Sequence, residues 1–262
     1  MFLKKLYLHR IFLILIILLI FLNIKIITIV DEIYNCKSTM KDVIKIDEQK
    51  SILNYSRSTN YINYIRDKIR NTNLNPIIKN KYYIHDSIKN DNNGKQSSKL
   101  LVILVQVHSR LNYLKELIDS LKQTKHINET LVIFSHDLYD DEMNKLIENI
   151  TFCSTLQIFY PLSLQLYPDT FPGQDPNDCP KSIKKEEALK LKCSNAAHPD
   201  TFGNYRESKV VQIKHHWIWK LSFVFEKLNE TKNLENLHVL LLEEDYYLMP
   251  DSIHVLRKLS EK

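Results

Sequence analysis

The amino-acid sequence predicts an α/β fold with a parallel sheet for residues 100–262. Two observations predict it. Residues 100–107 form a continuous apolar run, which is typical of a strand covered on both faces. Runs of this kind then alternate along the chain with segments in which apolar residues recur at helical spacing. Alternation of strand and helix is the pattern of a parallel α/β sheet.

The first part of this pattern contains three strands and two helices. The strands are predicted over residues 100–107, 130–134 and 155–159. A helix after the first strand is predicted by the spacing of its apolar residues, Leu114, Leu117, Ile118 and Leu121. A helix after the second strand is predicted in the same way by Met143, Leu146, Ile147 and Ile150.

The second part begins with an irregular region, residues 160–206, which holds six of the eight prolines. A loop of this length without periodic structure is usually functional or disordered. Residues 208–228 predict one long helix, whose apolar face comprises Val210, Ile213, Trp217, Leu221, Val224 and Leu228. A fourth strand over residues 237–242 and a short helix over residues 253–259 complete the pattern.

Composition excludes several classes of function. Only three glycines occur, so neither a G-x-G-x-x-G loop nor a Walker A loop can be present. The four cysteines are too few for a disulfide scaffold and show no C-x-x-C zinc spacing. Residues 100–262 carry 19 basic and 23 acidic side chains, whereas a nucleic-acid-binding domain is expected to carry a basic face. We therefore expect no nucleic-acid partner.

The N-terminal third predicts a membrane anchor and a stem. Residues 11–30 are apolar except at three positions, and about twenty such residues cross a bilayer core. Basic residues precede this segment and acidic residues follow it, so we expect residues 1–10 to form a cytoplasmic tail. A cleaved signal peptide is the alternative, although no A-x-A-like cleavage site follows. Residues 31–99 are polar and lack an apolar period, which predicts a poorly ordered stem.

Polar side chains follow three of the predicted strands where the strands end. They occupy residues 106–110 after the first strand, 135–137 after the second and 243–245 after the fourth. Ligands of open α/β sheets bind at the carboxyl ends of the strands, so we expect one site there. The three carboxylates of the last group suit Mg²⁺ or Mn²⁺, which can also bridge phosphate oxygens. An ordinary acidic loop is the alternative interpretation of these carboxylates.

His215 and His216 are adjacent within the predicted long helix. Neighbouring helical residues point about 100° apart, so both cannot face the same ligand. We expect a surface or packing role for at least one of them, and no metal site formed by the pair.

Several longer motifs resemble those of one enzyme family. They span about residues 100–259 and comprise 106–110 (QVHSR), 131–137 (LVIFSHD), 164–168 (LQLYP), 171–173 (FPG), 175–180 (DPNDCP), 202–206 (FGNYR), 212–216 (QIKHH) and 242–245 (LEED). Together they resemble the α-1,6-mannosyl-glycoprotein 2-β-N-acetylglucosaminyltransferases, also called N-acetylglucosaminyltransferases II. The anchor and the stem agree with that family in type but not in distinctive sequence.

The resemblance implies a GT-A fold, in which a Rossmann-like nucleotide-sugar half joins an acceptor-binding half. It implies transfer of GlcNAc in β-1,2 linkage from UDP-GlcNAc to the α-1,6-arm mannose of an N-glycan, with inversion at the anomeric carbon. It also implies Mn²⁺ as the cofactor, which offsets charge that grows on the diphosphate. The implied location is the Golgi membrane, with a single type II span and a lumenal catalytic part.

The resemblance further implies roles for individual residues. Asp137 would accept a hydrogen bond from the uracil ring, and Asp245 would be the direct metal ligand. Glu243 and Glu244 would face the ribose or the sugar. The other donor-site residues would be Gln106, Val107, His108, Ser109, Arg110, Gln212, Ile213, Lys214, His215 and His216.

The cysteines receive separate expectations. By the same resemblance, Cys179 and Cys193 would form a disulfide within the irregular region. Cys36 is a candidate for a disulfide between two chains, which would give a homodimer. Cys153 is expected to be buried and free.

The sequence departs from the family after the carboxylate motif. Family members continue well beyond it, and that continuation carries the general base, a metal-ligating histidine and most of the acceptor site. The sequence ends at Lys262, so we expect the general base beyond Lys262 and name no catalytic residue. We therefore expect an incomplete GT-A domain, truncated at the C-terminus.

Two alternative functions stay open. One is another inverting Golgi GlcNAc-transferase, because acceptor preference lies mostly in the continuation. The other is a catalytically inactive, membrane-anchored module that binds a nucleotide sugar.

Overall fold

The structure, a computed structural model, describes residues 59–82, 88–90, 96–98, 100–234 and 237–260. The predicted cytoplasmic tail, the membrane anchor and residues 31–58 of the predicted stem lie outside the described residues. Cys36 and Lys262 lie outside them as well. Within the described ranges, no helix is both long and apolar enough to cross a bilayer.

A four-stranded parallel sheet forms the centre of the fold. A short antiparallel pair precedes it, β1 (Ile88–Asn90) and β2 (Gln96–Ser98). The sheet itself comprises β3 (Leu101–Val107), β4 (Thr130–His136), β5 (Ser154–Phe159) and β6 (His238–Glu243), in the order β5-β4-β3-β6. The central strands β3 and β4 are buried along their whole length, as strands covered on both faces must be. The predicted α/β fold with a parallel sheet is therefore confirmed.

A helix over residues 59–74, α1, precedes the sheet. Ile65 and Ile69 on this helix are buried against Phe159 at the end of β5. Asn73 bonds the backbone of the same Phe159 twice, because its amide donates to the carbonyl oxygen at 2.6 Å and accepts from the N–H at 3.0 Å. Part of the predicted stem is thus ordered, and the folded domain begins before the predicted boundary at residue 100.

Three helices cover one face of the sheet. They are α2 (Leu111–Gln123), α3 (Asp141–Glu148) and α6 (Ser252–Ser260). Alternate residues of β3, among them Ile103 and Val105, meet the apolar sides of these helices in one buried cluster. The apolar positions predicted for α2 all belong to this cluster, so the prediction of that helix is confirmed.

The other face of the sheet is covered by two consecutive helical segments that follow α4 (Lys185–Leu191). They are α5 (Ser208–Ser222) and a π-helical turn, Phe223–Lys227. Phe223 and Val224 pack on apolar side chains of β3, β4 and β5. The two segments together cover almost all of the long helix that the sequence predicts over residues 208–228.

The predicted apolar face of this long helix is wrong over α5. Val210 and Ile213, which belong to that face, are 42% and 45% exposed. The buried residues of α5 are instead Ser208, Gln212, His216 and Lys220, which are spaced by four. Polar side chains can be buried here because each of them has a hydrogen-bonding partner on a neighbouring element.

The region between β5 and α5 is held by a disulfide between Cys179 and Cys193, the pair that the resemblance implies. Helix α4, which the sequence analysis does not predict, lies inside the loop that this disulfide closes. Tyr205 is buried beside the disulfide and donates its hydroxyl to the carbonyl oxygen of Ala196 at 2.7 Å. Cys153 is buried and free as expected, and burial raises the pKa of its thiol to about 12.

Candidate functional site

The strand register brings the ends of β3, β4 and β6 to one edge of the sheet. Gln106 on β3 lies beside Ser135 on β4 and beside Glu243 on β6. The residues that follow these strands therefore start from neighbouring positions. This geometry places the three polar groups predicted from the sequence at one carboxyl edge.

Glu244 organises the turn that follows β3. Its carboxylate is 1% exposed and accepts from the backbone N–H groups of His108 at 2.8 Å, Ser109 at 3.3 Å and Arg110 at 3.1 Å. It also accepts from Arg110 Nε at 3.0 Å. These N–H groups lead into α2, at the position where Rossmann folds hold a dinucleotide phosphate. Here an internal carboxylate occupies that anion site.

The position of Glu244 differs from the role that the resemblance implies. A carboxylate that accepts four hydrogen bonds in a buried position is directed into the protein and not toward a ribose or a sugar. A diphosphate cannot use the same N–H groups while Glu244 occupies them. Any diphosphate bound at this edge must therefore be held by other groups.

Arg110 links Glu244 to Asp245. Its Nη1 donates to Asp245 Oδ2 at 2.7 Å, and its guanidinium lies 5.6 Å from the centre of the Tyr113 ring. The Asp245 side chain is 32% exposed, so its carboxylate can reach a ligand in solvent. The hydrogen bond to Glu244 is the first cause that raises the pKa of Arg110, and Asp245 adds to it.

The described residues fit a divalent ion only in part. Among them, no group of three or more His, Cys, Asp or Glu residues could hold a metal. Asp245 offers an exposed carboxylate, Glu243 is half-buried, and Glu244 is already satisfied. One carboxylate with phosphate oxygens and water is a sufficient ligand set for ions such as Mg²⁺ that are bound together with a substrate phosphate.

Asp137, which is 3% exposed, follows β4 and bonds two side chains, one from the turn after β3 and one from α5. Its Oδ1 accepts from His108 Nδ1 at 2.6 Å, and this contact raises the pKa of the half-exposed His108. Its Oδ2 accepts from Gln212 Nε2 at 3.1 Å. Each carboxylate oxygen carries two lone pairs, so Asp137 retains capacity for a further donor such as a ring N–H.

The buried side of α5 forms a second layer behind these groups. We call Gln212, His216 and Lys220 the polar stripe of α5. Gln212 bonds Asp137, His216 Nε2 lies 2.7 Å from Ser135 Oγ, and Lys220 Nζ donates to Gln106 Oε1 at 2.8 Å. The polar stripe therefore contacts the carboxyl ends of both central strands.

Lys220 and His216 have strongly shifted pKa values. Burial lowers the pKa of Lys220 to about 7, although Glu243 and Asp137 oppose the shift. Its ammonium also lies 3.1 Å from the centre of the Trp217 ring, which is a cation–π contact. Burial likewise lowers the pKa of His216 well below its usual value, with smaller effects from Lys220 and other nearby groups.

In space, His216 lies between Ser135 and Asp137, as the histidine of a serine-hydrolase triad lies between the serine and the aspartate. His216 Nδ1, however, lies 3.9 Å from Asp137 Oδ2, which is too long for a hydrogen bond. Ser135 and His216 are also fully buried, so no substrate carbon can reach the hydroxyl. The arrangement supports packing and not nucleophilic catalysis.

The remaining predicted residues differ in whether they are buried or exposed. The Val107 side chain is fully buried in the apolar cluster beneath α2, so it cannot contact a ligand. Ile213, Lys214 and His215 lie on the exposed side of α5, whereas His216 is buried. The two histidines thus point apart, as the helical step predicts.

The general base stays a prediction. It is expected beyond Lys262, and the described residues end at Ser260, the last residue of α6. The metal-ligating histidine that the resemblance implies after the carboxylate motif stays a prediction as well.

Lys220 is the residue of this region that the sequence analysis does not identify. A signal was present, because polar residues recur every fourth position from Gln212 to Lys220. Such spacing places them on one side of a helix. The apolar residues between them led to the prediction of a buried face on the wrong side of α5.

Comparison with known proteins adds the family. Residues 66–262 match the model of the family described as N-acetylglucosaminyltransferase II (MGAT2). The chain belongs to this family. The match starts within α1, which agrees with the ordered part of the predicted stem.

Curated relatives of the N-acetylglucosaminyltransferase II family carry the name α-1,6-mannosyl-glycoprotein 2-β-N-acetylglucosaminyltransferase. The rat protein is 53% identical over 169 residues, which are 64% of this chain and 38% of the relative. The human protein is 51% identical over the same shares of both chains. The Arabidopsis thaliana protein is 42% identical over 61% of this chain and 36% of its own length. The matched part thus spans less than two fifths of each of these relatives.

Proposed function

We propose that this chain contains the nucleotide-sugar-binding part of an inverting glycosyltransferase. The donor is UDP-GlcNAc, and the acceptor is the α-1,6-arm mannose of an N-glycan, which receives GlcNAc in β-1,2 linkage. The observation that carries this proposal is the shared carboxyl edge, where Asp137 follows β4 and Asp245 follows β6, the two strands that flank β3. The names of the rat and human relatives supply the sugar and the linkage.

Donor binding follows from the groups at this edge. Asp137 is held in place by His108 and Gln212 and is 3% exposed, so its carboxylate would accept from the uracil ring where the half-exposed His108 side chain gives way. The amide NH₂ of Gln106 would donate to the nucleotide, because Gln106 Oε1 already accepts from Lys220. Preorganised polar groups of this kind fix the orientation of a ligand at small entropic cost.

The diphosphate needs a positive partner other than the start of α2, whose N–H groups bond Glu244. Asp245 would hold a Mn²⁺ ion for this purpose, and the bound ion would offset the charge that develops on the leaving diphosphate. Arg110 lies beside Asp245 and supplies a guanidinium at the same place. We assign no general base among the described residues.

The proposal is tested by calorimetric titration of UDP and UDP-GlcNAc into the full chain, with and without Mn²⁺. Asp245→Asn removes the ligand charge at an exposed position, so we expect it to abolish Mn²⁺-dependent binding and leave the unfolding transition unchanged. Asp251→Asn is the matched control, because Asp251 is an exposed carboxylate in the same segment. Metal-dependent affinity that persists in Asp245→Asn would remove this residue from the site.

The same titration separates the proposed enzyme from the inactive module. Transfer of GlcNAc to an N-glycan acceptor supports the enzyme. Metal-dependent binding without transfer supports a module that only binds the nucleotide sugar. Absence of any metal-dependent binding would contradict both functions.

We also propose a lumenal position in the Golgi for the folded part. The apolar segment over residues 11–30 and the basic residues before it support a type II span. The Cys179–Cys193 disulfide is consistent with an oxidising compartment. Protease protection of the folded part in sealed Golgi vesicles, lost on addition of detergent, is the expected result.

A further inference from the structure

Arg110 binds two carboxylates that differ in exposure. Its Nε donates to Glu244, which is 1% exposed, and its Nη1 donates to Asp245, whose side chain is 32% exposed. The first contact is buried and is reinforced by the backbone N–H groups that share Glu244. The second contact faces solvent and is the weaker one, since exposed ion pairs contribute little to stability.

The exposed contact involves the carboxylate that the proposed function assigns to the metal. A guanidinium 2.7 Å from Asp245 Oδ2 and a divalent cation on the same carboxylate would repel each other. The guanidinium is planar and rigid, so Nη1 leaves Asp245 only when the whole group shifts and the Nε contact with Glu244 changes with it. Glu244 does not depend on Nε alone, because the backbone N–H groups of His108 and Arg110 also bond its carboxylate.

We infer that Arg110 competes with the divalent cation for Asp245 and releases this carboxylate when a diphosphate binds. This inference rests on the proposed function. Guanidinium groups pair with phosphate oxygens as well as with carboxylates, so a diphosphate at the edge attracts Arg110 away from Asp245. The carboxylate that Arg110 leaves becomes available to the metal. Diphosphate and metal therefore strengthen each other's binding, and by linkage the effect is equal in both directions.

The first test measures Mn²⁺ binding to the full chain without nucleotide, from the electron paramagnetic resonance signal of free Mn²⁺. Arg110→Met removes the competitor, so we expect Mn²⁺ to bind about threefold to fivefold more tightly, as an ion pair of modest strength allows. Lys115→Met is the control for net charge. Lys115 lies on α2, pairs with Glu142 at 3.8 Å, and belongs to no proposed site. We expect a change below about twofold for this control.

The second test adds Asp245→Asn alone and together with Arg110→Met. If Arg110 acts through Asp245, the double variant binds Mn²⁺ as weakly as Asp245→Asn does. Full Mn²⁺ affinity in Asp245→Asn would contradict the proposed function itself. Loss of affinity in Asp245→Asn, combined with unchanged or weaker binding in Arg110→Met, would overturn only the inference about Arg110.

The third test concerns the coupling. In the wild-type chain, a saturating concentration of UDP should tighten Mn²⁺ binding by more than it does in Arg110→Met. An equal gain in both proteins would exclude Arg110 as the coupling residue. Arg110→Lys keeps the charge but is not expected to bond both carboxylates at once, so its Mn²⁺ affinity should lie between the wild-type and Arg110→Met values. This variant carries the test if thermal unfolding shows that Arg110→Met is not folded.

Discussion

Helices α2 and α5 cover opposite faces of the same sheet and bury opposite kinds of side chain. Helix α2 buries four apolar residues and one serine. Helix α5 buries only polar ones, including the polar stripe. The difference follows from position along the strands. Helix α2 packs against the apolar middle of β3, whereas α5 contacts Gln106 and Ser135, where the central strands end.

The two helices are stabilised by different interactions. Transfer of apolar surface from water stabilises the contact of α2 with the sheet. Hydrogen bonds inside a buried layer hold α5. Each such bond contributes little net stability, but a buried polar group left without its partner destabilises the fold. We therefore expect α2 to determine whether the chain folds, and α5 to determine the geometry of the site.

The largest expected effect comes from Leu117→Ala on α2. Leu117 is fully buried in the apolar cluster, so the substitution removes buried methyl groups and leaves a cavity. We expect a loss of about 2–5 kcal/mol in the free energy of unfolding, measured by chemical denaturation. A loss below about 1 kcal/mol would mean that this side of the sheet is less tightly packed than the structure shows.

A smaller, pH-dependent effect is expected from Lys220→Met on α5. The folded-state pKa of Lys220 is about 7, below the usual value of 10.5, so the unfolded chain binds the extra proton between these values. The contribution of Lys220 to stability should therefore rise as the pH increases from 7 to 10, by at most about 4 kcal/mol. Lys220→Met should lose this rise.

The matched control for Lys220 is Lys209→Met. Lys209 is an exposed residue of the same helix, so the variant loses the same charge without any change in the buried layer. Denaturation curves at several pH values should give Lys209→Met the wild-type slope. An identical slope in Lys220→Met would show that Lys220 does not titrate in this range.

The smallest effect is expected from Val210→Ala on the outer side of α5. Val210 is 42% exposed, so little buried surface is lost and the free energy of unfolding should change by less than about 0.5 kcal/mol. Thermal unfolding provides the measurement. A loss comparable to that of Leu117→Ala would show that Val210 belongs to a buried apolar face, as the sequence predicts for this helix.

Regular apolar spacing predicts the parts of the fold that meet the middle of the sheet. The strands and α2 follow this rule because apolar burial determines their orientation. The rule fails for α5, since hydrogen bonds to the strand ends outweigh the apolar positions of Val210 and Ile213. Helix α1 was also missed, because only a few of its residues, among them Ile65 and Ile69, are buried.

The sequence predicts that the site lies at this edge of the sheet, but it does not predict the contacts that the side chains make there. Parallel strands carry their carboxyl ends to one side, so the grouping of Gln106, Asp137 and Glu244 follows from chain order. The inward direction of Glu244 depends on the backbone of the neighbouring turn, which no residue pattern displays. The role of a carboxylate therefore required coordinates.

The carboxylate of Glu244 has a consequence for how quickly the chain can accept a ligand. Glycine-rich turns bind phosphate through backbone N–H groups that point at an anion from outside the chain. In this protein the anion belongs to the chain itself, so the turn from His108 to Arg110 is complete before any ligand arrives. Larger side chains can then replace glycine in that turn, and binding does not have to order the backbone first.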